Sequence, residues 1–230
     1  MGHPYLLAYN VVLCGGWAYC LYLATMTVAG GGYTADLWEV AEIPLKIFQT
    51  AAMLEILHAA VGLVRSPVML TFMQVFSRVW ILWGITNVAP HHTTTGGVEL
   101  LKAGGFRLEL NLITLVAAWS AAEVIRYGFF AFKELGVDLY LMKWLRYTGF
   151  IVLYPIGVGS ELCLVALALP TIKATQMWSV SMPNAWNFGF SYYIMCWVWS
   201  LSYIPCFPQL YFYMLAQRKK VLGPKKTKAS

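Results

Sequence analysis

Hydrophobic and polar positions segregate into long blocks along this chain instead of alternating residue by residue. Six apolar runs, at about 5–28, 43–64, 68–88, 110–132, 147–169 and 188–215, are separated by short polar connectors. A helix rising ~1.5 Å per residue needs about 20 apolar residues to cross the ~30 Å hydrocarbon core of a bilayer. Each run meets that length, so the pattern predicts an all-α membrane protein, a bundle of six transmembrane helices. Breakers mark the connectors. Gly30, Gly31 and Gly32 end the first run, a loop holding Asp36, Glu39 and Glu42 follows, and Pro44 sits where the second run opens. Arg65, Ser66 and Pro67 read as a tight turn. HHTTTGG opens a polar stretch reaching Glu109, with a short interfacial helix expected at 98–103. A charged connector, KELGVDLYLMKWLR, precedes the fifth run, and a loop at 170–187 precedes the sixth. No repeat of fixed period and no second domain is visible. Residues 1–215 form one six-span domain and residues 216–230 a basic tail.

Composition agrees with this reading. Of the 230 residues, 60% are hydrophobic and 11% charged, against about 25% charged in soluble domains. The partner this implies is the lipid bilayer, not nucleic acid. The five cysteines lie in apolar stretches without CxxC spacing and read as core packing. The first segment carries no basic n-region or cleavage site and reads as a retained span.

Lysine and arginine orient the bundle. Arg65, Lys133, Lys143, Arg146, Arg218, Lys219, Lys220, Lys225, Lys226 and Lys228 fall on one side, and Lys102, Arg107 and Lys173 on the other. The positive-inside rule makes the richer side cytoplasmic, so both termini are expected there, as an even number of spans requires. Lys226 and Lys228 then stand at the third and fifth positions from the end, the arrangement of a dilysine retrieval signal. The simpler reading is a basic tail drawn to anionic lipid.

The runs are not purely apolar. The fifth, YTGFIVLYPIGVGSELCLVALAL, contains Tyr154 and Glu161. A carboxyl at such depth costs several kcal/mol unless it faces protein, partner or water, which makes it a candidate functional group. Tyr154 and Glu161 are seven residues apart and share a helix face. Pro155, Gly157 and Gly159 lie between them and predict an irregular helix there. The second run holds Lys46, Gln49, Glu55 and His58, the third Gln74, Ser77 and Arg78, and the fourth Glu123 and Arg126. Glu55 with His58, and Glu123 with Arg126, have the i, i+3 spacing of local pairs. Taken singly, such groups also serve as packing glue between membrane helices. Taken together they point to a polar cavity.

Two apparent motifs carry no chemistry. His58-Ala-Ala-Val-Gly62-Leu-Val-Arg65-Ser66 spells a cysteine-phosphatase frame, but Ala59 stands where the nucleophilic thiol belongs. His91 and His92 are adjacent, which is not metal-ligand spacing, so no metal or other cofactor is expected.

That frame, with LEILHAAVGLVRSP (54–67), WSAAEVIRYGFF (119–130), LRYTGFIVLYPIGVGSE (145–161) and MWSVSMPN (177–184), resembles the very-long-chain (3R)-3-hydroxyacyl-CoA dehydratases. These were formerly called protein tyrosine phosphatase-like proteins, and the chain is most similar to their plant Pasticcino-type branch. Arg65 stands where some relatives have proline. The resemblance implies a multi-pass lyase of the endoplasmic-reticulum membrane that performs the third step of fatty-acid elongation, with Tyr154 and Glu161 as its catalytic pair. It implies as partners the condensing enzyme, the ketoacyl-CoA reductase and the enoyl-CoA reductase.

Elementary chemistry asks for two proton-transfer groups. The reaction removes a proton from C2, acidified by the thioester, and expels the C3 hydroxyl as water. Glu161 as base with Tyr154 as acid satisfies this, and so does the reverse. Glu55, His58, Gln74, Arg78, Glu123 and Arg126 are candidates to support or orient the pair. Arg65, Lys133, Lys143 and Arg146 are candidates for the CoA phosphates, with the acyl tail running between spans toward the lumenal side. Readings from other classes are a scaffold for the elongation enzymes and a small-molecule transporter, although the fifth run is the one convincing broken helix and transporters pair such helices.

Overall fold

The structure, a computed structural model, describes residues 2–103 and 106–223. The lysines of the dilysine arrangement lie outside the described residues. Nine α-helices, α1 (Pro4–Ala29), α2 (Thr34–Ala51), α3 (Leu54–Ala60), α4 (Val68–Val79), α5 (Pro90–Thr95), α6 (Leu112–Glu134), α7 (Tyr140–Thr148), α8 (Phe150–Thr175) and α9 (Tyr192–Leu222), make up most of these residues. Beyond Val79, α4 runs on as a π-helical stretch, Trp80–Thr86, where the Asn87 amide reaches back to the Leu82 carbonyl.

Four of the described helices are long and apolar enough to cross a membrane: Pro4–Ala29, Val68–Thr86, Leu112–Glu134 and Phe150–Thr175. They coincide with the first, third, fourth and fifth apolar runs. The second run is different. The acidic segment read as a loop is the first half of α2. Asp36 accepts from the Tyr33 amide at 2.6 Å and caps the new helix, and Pro44 lies inside it instead of opening it. Past Ala51 the backbone tightens. The amides of Met53, Glu55 and Ile56 each bond a carbonyl three residues back, and α3 starts at Leu54. This frees the Ala51 carbonyl, which accepts from the Tyr9 hydroxyl of α1 at 3.2 Å. The sixth run forms α9, whose 31 residues include Pro205 and Pro208.

The fold is not all-α. Residues 98–103, expected as a short helix, are a strand β1 (Val98–Ala103) paired antiparallel with β2 (Phe106–Leu110). Six residues are too few to nucleate a stable helix, whereas a strand partner lies immediately downstream. The end of this hairpin rests on α8. The Cys163 thiol donates to the Leu110 carbonyl at 3.1 Å, and a Cβ on Gly159 would come within 3.0 Å of the Leu110 side chain.

The helices are held by two zones of different character. Near the hairpin lies a dry core, where Trp17, Leu37, Ile81, Ile85, Val116, Leu164 and Ile172 are at most 1% exposed. At the opposite end, α1, α2, α3, α4, α6, α7, α8 and α9 surround a cavity. Large apolar side chains such as Val12, Ile43, Val152, Ile204 and Phe212 point outward, the surface expected of helices solvated by lipid.

Candidate active site

An ionic network centred on the buried Glu123, its other members half-buried, forms one wall of the cavity. Arg126 of α6 bonds both oxygens of Glu55 on α3, at 2.6 and 2.7 Å, and donates through Nε to Glu123 at 2.8 Å. Arg78 of α4 bonds the other oxygen of Glu123, and the Tyr127 hydroxyl donates to Glu55. Two guanidinium and two carboxylate groups thus cancel in charge, which offsets the cost of withdrawing them from solvent. The i, i+3 pair of Glu123 and Arg126 forms as expected. The Glu55–His58 pair does not: Glu55 takes the bidentate Arg126 instead, and His58 Nε2 lies 2.9 Å from the Tyr5 hydroxyl of α1. A planar guanidinium offers a carboxylate two parallel bonds, which an imidazole cannot match.

Helix α8 carries the two residues on which the sequence argument turns. It is a continuous helix from Phe150 to Thr175, not an irregular one. Pro155 removes the donor that would bond the Ile151 carbonyl, and the Tyr211 hydroxyl of α9 replaces it at 3.3 Å. Tyr154, one residue earlier, faces the cavity, and no hydrogen bond is made to its hydroxyl among the described residues. Glu161 lies two turns deeper and is 6% exposed. The indole of Trp119 on α6 donates to its Oε1 at 2.9 Å, and the Tyr203 hydroxyl of α9 donates to its Oε2 at 2.7 Å. An indole N–H can only donate, so Oε1 is an acceptor. Beside it, Thr114 and Ser160 are joined at 2.9 Å, locking α6 to α8. The Arg78 guanidinium stands 5.6 Å from the Trp119 ring centroid, which brings the ionic network against the Glu161 cluster.

The cavity measures about 520 Å³. Of the twelve site residues expected from sequence, ten line it: Glu55, His58, Arg65, Gln74, Arg78, Glu123, Arg126, Lys133, Arg146 and Tyr154. Glu161 lies behind the wall, bound to Trp119 and Tyr203. Lys143 is elsewhere, 3.7 Å from Asp138 on α7's outer side. Arg146 reaches the cavity with its guanidinium 5.5 Å from the Phe130 ring. Lys46, also read as an inward polar residue, pairs with Glu42 and Asn87 away from the cavity. Among the described residues no cluster of three or more His, Cys, Asp or Glu is arranged to hold a metal.

Trp119, Tyr127 and Tyr203 were missed by sequence reasoning. The first two carried a signal, since 119, 123, 126 and 127 share one face of a 3.6-residue helix with Glu123 and Arg126. Tyr203 carried none, being 42 residues from the carboxylate it binds.

The comparisons with known proteins agree along the chain. A family model described as protein tyrosine phosphatase-like protein, PTPLA, matches residues 49–224. The human very-long-chain (3R)-3-hydroxyacyl-CoA dehydratase 2 is 43% identical over 220 residues, which cover 95% of this chain and 81% of that one. Arabidopsis thaliana very-long-chain (3R)-3-hydroxyacyl-CoA dehydratase PASTICCINO 2 is 44% identical over 223 residues, covering 96% and 94%. The Caenorhabditis elegans dehydratase hpo-8 is 44% identical over 220 residues, covering 95% and 94%. No solved structure matches. With most of its length under the family model and relatives above 40% identity along nearly all of it, the chain belongs to the protein tyrosine phosphatase-like family of very-long-chain 3-hydroxyacyl-CoA dehydratases.

Proposed function

We propose that the chain is a very-long-chain (3R)-3-hydroxyacyl-CoA dehydratase in which Tyr154 and Glu161 are the proton-transfer pair. Besides kinship, one observation carries this reading: a cavity between the helices with Tyr154 on its wall and Glu161 anchored behind it, where ten of twelve expected residues converge. Glu161 accepts two hydrogen bonds and retains lone pairs, which suits a base. Tyr154 has an O–H with no protein acceptor, which suits an acid. For this step the C2–C3 unit reaches past Tyr154 to the Glu161 carboxylate behind the wall: Glu161 takes the proton from C2, the electron pair forms the C2–C3 double bond, and the C3 hydroxyl departs as water with the proton from Tyr154. A proton then returns from Glu161 to the tyrosinate. The ionic network holds charges of both signs in fixed places beside this path, an arrangement that needs no reorganisation during reaction.

The substrate's phosphates stay at the mouth with Arg65, Lys133 and Arg146, and the acyl tail extends toward the dry end. The bundle crosses the endoplasmic-reticulum membrane six times, with α2 and α3 together as one crossing, α9 as the last and both termini cytoplasmic. The basic tail then lies where a dilysine signal is read, and the cavity mouth faces the same compartment as the partner elongation enzymes.

Conversion of a long-chain 3-hydroxyacyl-CoA to its trans-2-enoyl-CoA by the purified protein in detergent tests the reaction. Tyr154→Phe and Glu161→Gln are each expected to lower kcat by roughly 10²–10⁴, the usual contribution of a positioned acid or base. Folded variants with undiminished turnover would remove the pair from the mechanism. A folded wild type without turnover that still associates with elongation enzymes would mark a scaffold.

A further inference from the structure

The ionic wall of the cavity is closed on itself, every carboxylate oxygen and guanidinium being engaged within it. Gln49 of α2 is not. Its side chain lines the cavity and is 1% exposed, and its carboxamide oxygen has no hydrogen-bond partner. Asn10 of α1, which also lines the cavity, donates to the Leu6 carbonyl at 2.7 Å and not to Gln49. One turn away on the same helix face, Leu45 is packed into apolar core at 2% exposure. The same face would therefore accept an aliphatic residue at position 49. A buried amide oxygen without a partner is costly to maintain, and its setting on a cavity wall indicates that the donor arrives with the occupant.

Position selects the donor. Gln49 and Tyr154 line the same cavity, and followed back along the chain from Arg65 at the mouth its wall runs through His58 and Glu55 to Gln49. Gln49 is thus the innermost of these residues. A substrate whose C2–C3 unit lies at Tyr154 leaves its pantetheine amides nearer the mouth, and its acyl tail has no donors. The hydrogen-bond donor that remains at this depth is the hydroxyl on C3.

We propose that Gln49 is a substrate-binding residue whose carboxamide oxygen accepts the O–H of the C3 hydroxyl. The assignment rests on the dehydratase reading and extends it. With the hydroxyl's own proton committed to Gln49, an oxygen lone pair turns toward Tyr154, where the departing group must be protonated. As the C3–O bond breaks and Tyr154 delivers its proton, the water formed keeps its first O–H on Gln49. The enoyl product, lacking a hydroxyl, loses this contact and is released.

The test uses the full-length protein in detergent and the near-isosteric Gln49→Met. Turnover of 3-hydroxyacyl-CoA is measured beside competitive inhibition by saturated acyl-CoA of the same chain length, which lacks the hydroxyl. The variant should lose about tenfold in kcat/KM for the hydroxy substrate, the scale of one lost hydrogen bond in a buried site. Its inhibition constant for the saturated ligand should stay within about twofold of wild type. Its ligand-free melting temperature should hold or rise, because an unpaired polar atom has been removed from the interior. Equal weakening of both ligands, an unchanged kcat/KM, or a melting temperature lowered by several degrees would overturn the Gln49 assignment while leaving the reaction intact. A folded wild type that turns over no 3-hydroxyacyl-CoA would overturn the reaction itself, and the assignment with it.

Discussion

Tyr154 and Glu161 share a helix face but differ in what holds them. Tyr154 is left open to the cavity, whereas both oxygens of Glu161 are bound, by Trp119 and Tyr203. Those two donors orient the carboxylate without touching the cavity, so they act on Glu161 and not on the substrate. Removing either, in Trp119→Phe or Tyr203→Phe, should lower kcat about tenfold or more, the value of a hydrogen bond to a charged group, with KM changed little. In a Glu161→Gln background neither should cost anything further, because groups that act as a unit are not additive. A KM effect that persists in that background would show that they shape the cavity instead. The headgroup residues also separate at this scale. Arg146 lines the cavity and Lys143 pairs with Asp138 outside it. Arg146→Glu should therefore raise the KM for acyl-CoA about tenfold, as loss of a charge-assisted contact to phosphate predicts. Lys143→Glu should leave it unchanged, and a rise there would place the phosphates on α7's other side.

The helices show how a membrane protein tolerates residues that break soluble ones. Pro155 leaves α8 intact because Tyr211 satisfies the carbonyl it orphans, and Tyr9 does the same for Ala51 where α2 tightens into α3. In a medium without water such groups must be satisfied by neighbouring helices. Tyr211→Phe should cost about 1 kcal/mol and lower the melting temperature by ~2–4 °C. In a Pro155→Ala background the cost should shrink, since the restored N–H at position 155 would itself donate to Ile151. An equal cost in both backgrounds would mean that Tyr211 stabilises by packing alone. Single-sequence patterns could not reveal these repairs. Pro155 and its two glycines predict a broken helix as long as Tyr211, 60 residues from the Ile151 carbonyl it satisfies, is out of view. In the same way Pro44 and the acidic segment predict a loop until Asp36 is seen capping α2.

The whole molecule divides into a dry end, packed around Trp17 and Ile85, and a wet end, where the cavity meets the basic connectors. That polarity matches an amphipathic ligand, with phosphates at the mouth and an acyl tail directed inward. Under the proposed topology the mouth opens toward the compartment that holds the substrate. Epitope tags at both ends should be reachable by antibody after selective permeabilisation of the plasma membrane. Replacing Lys226 and Lys228 by serine should let the protein leave the endoplasmic reticulum. A lumenal tag at either end would overturn the topology, and unaltered retention would leave the lysines as lipid-binding charges only.

The sequence by itself determined the class of the molecule, because transfer of long apolar runs into lipid depends on composition and length and not on partners. Four of the six runs sit within a few residues of helices long enough to span. It also placed the polar residues that such a setting penalises, and their cost is why they pointed to a site. The Glu123–Arg126 pair was legible for the same kind of reason, being local to one helix turn. What only the tertiary structure decided was partnership across distance. Glu55 meets Arg126 from 71 residues away, Glu161 is gripped by Trp119 and Tyr203, and Gln49 is left facing a cavity with nothing to bond. Hydrogen bonds are short and directional, so which groups pair and which stay open for a ligand depends on ångström placement of helices, a quantity that periodicity along one chain does not contain.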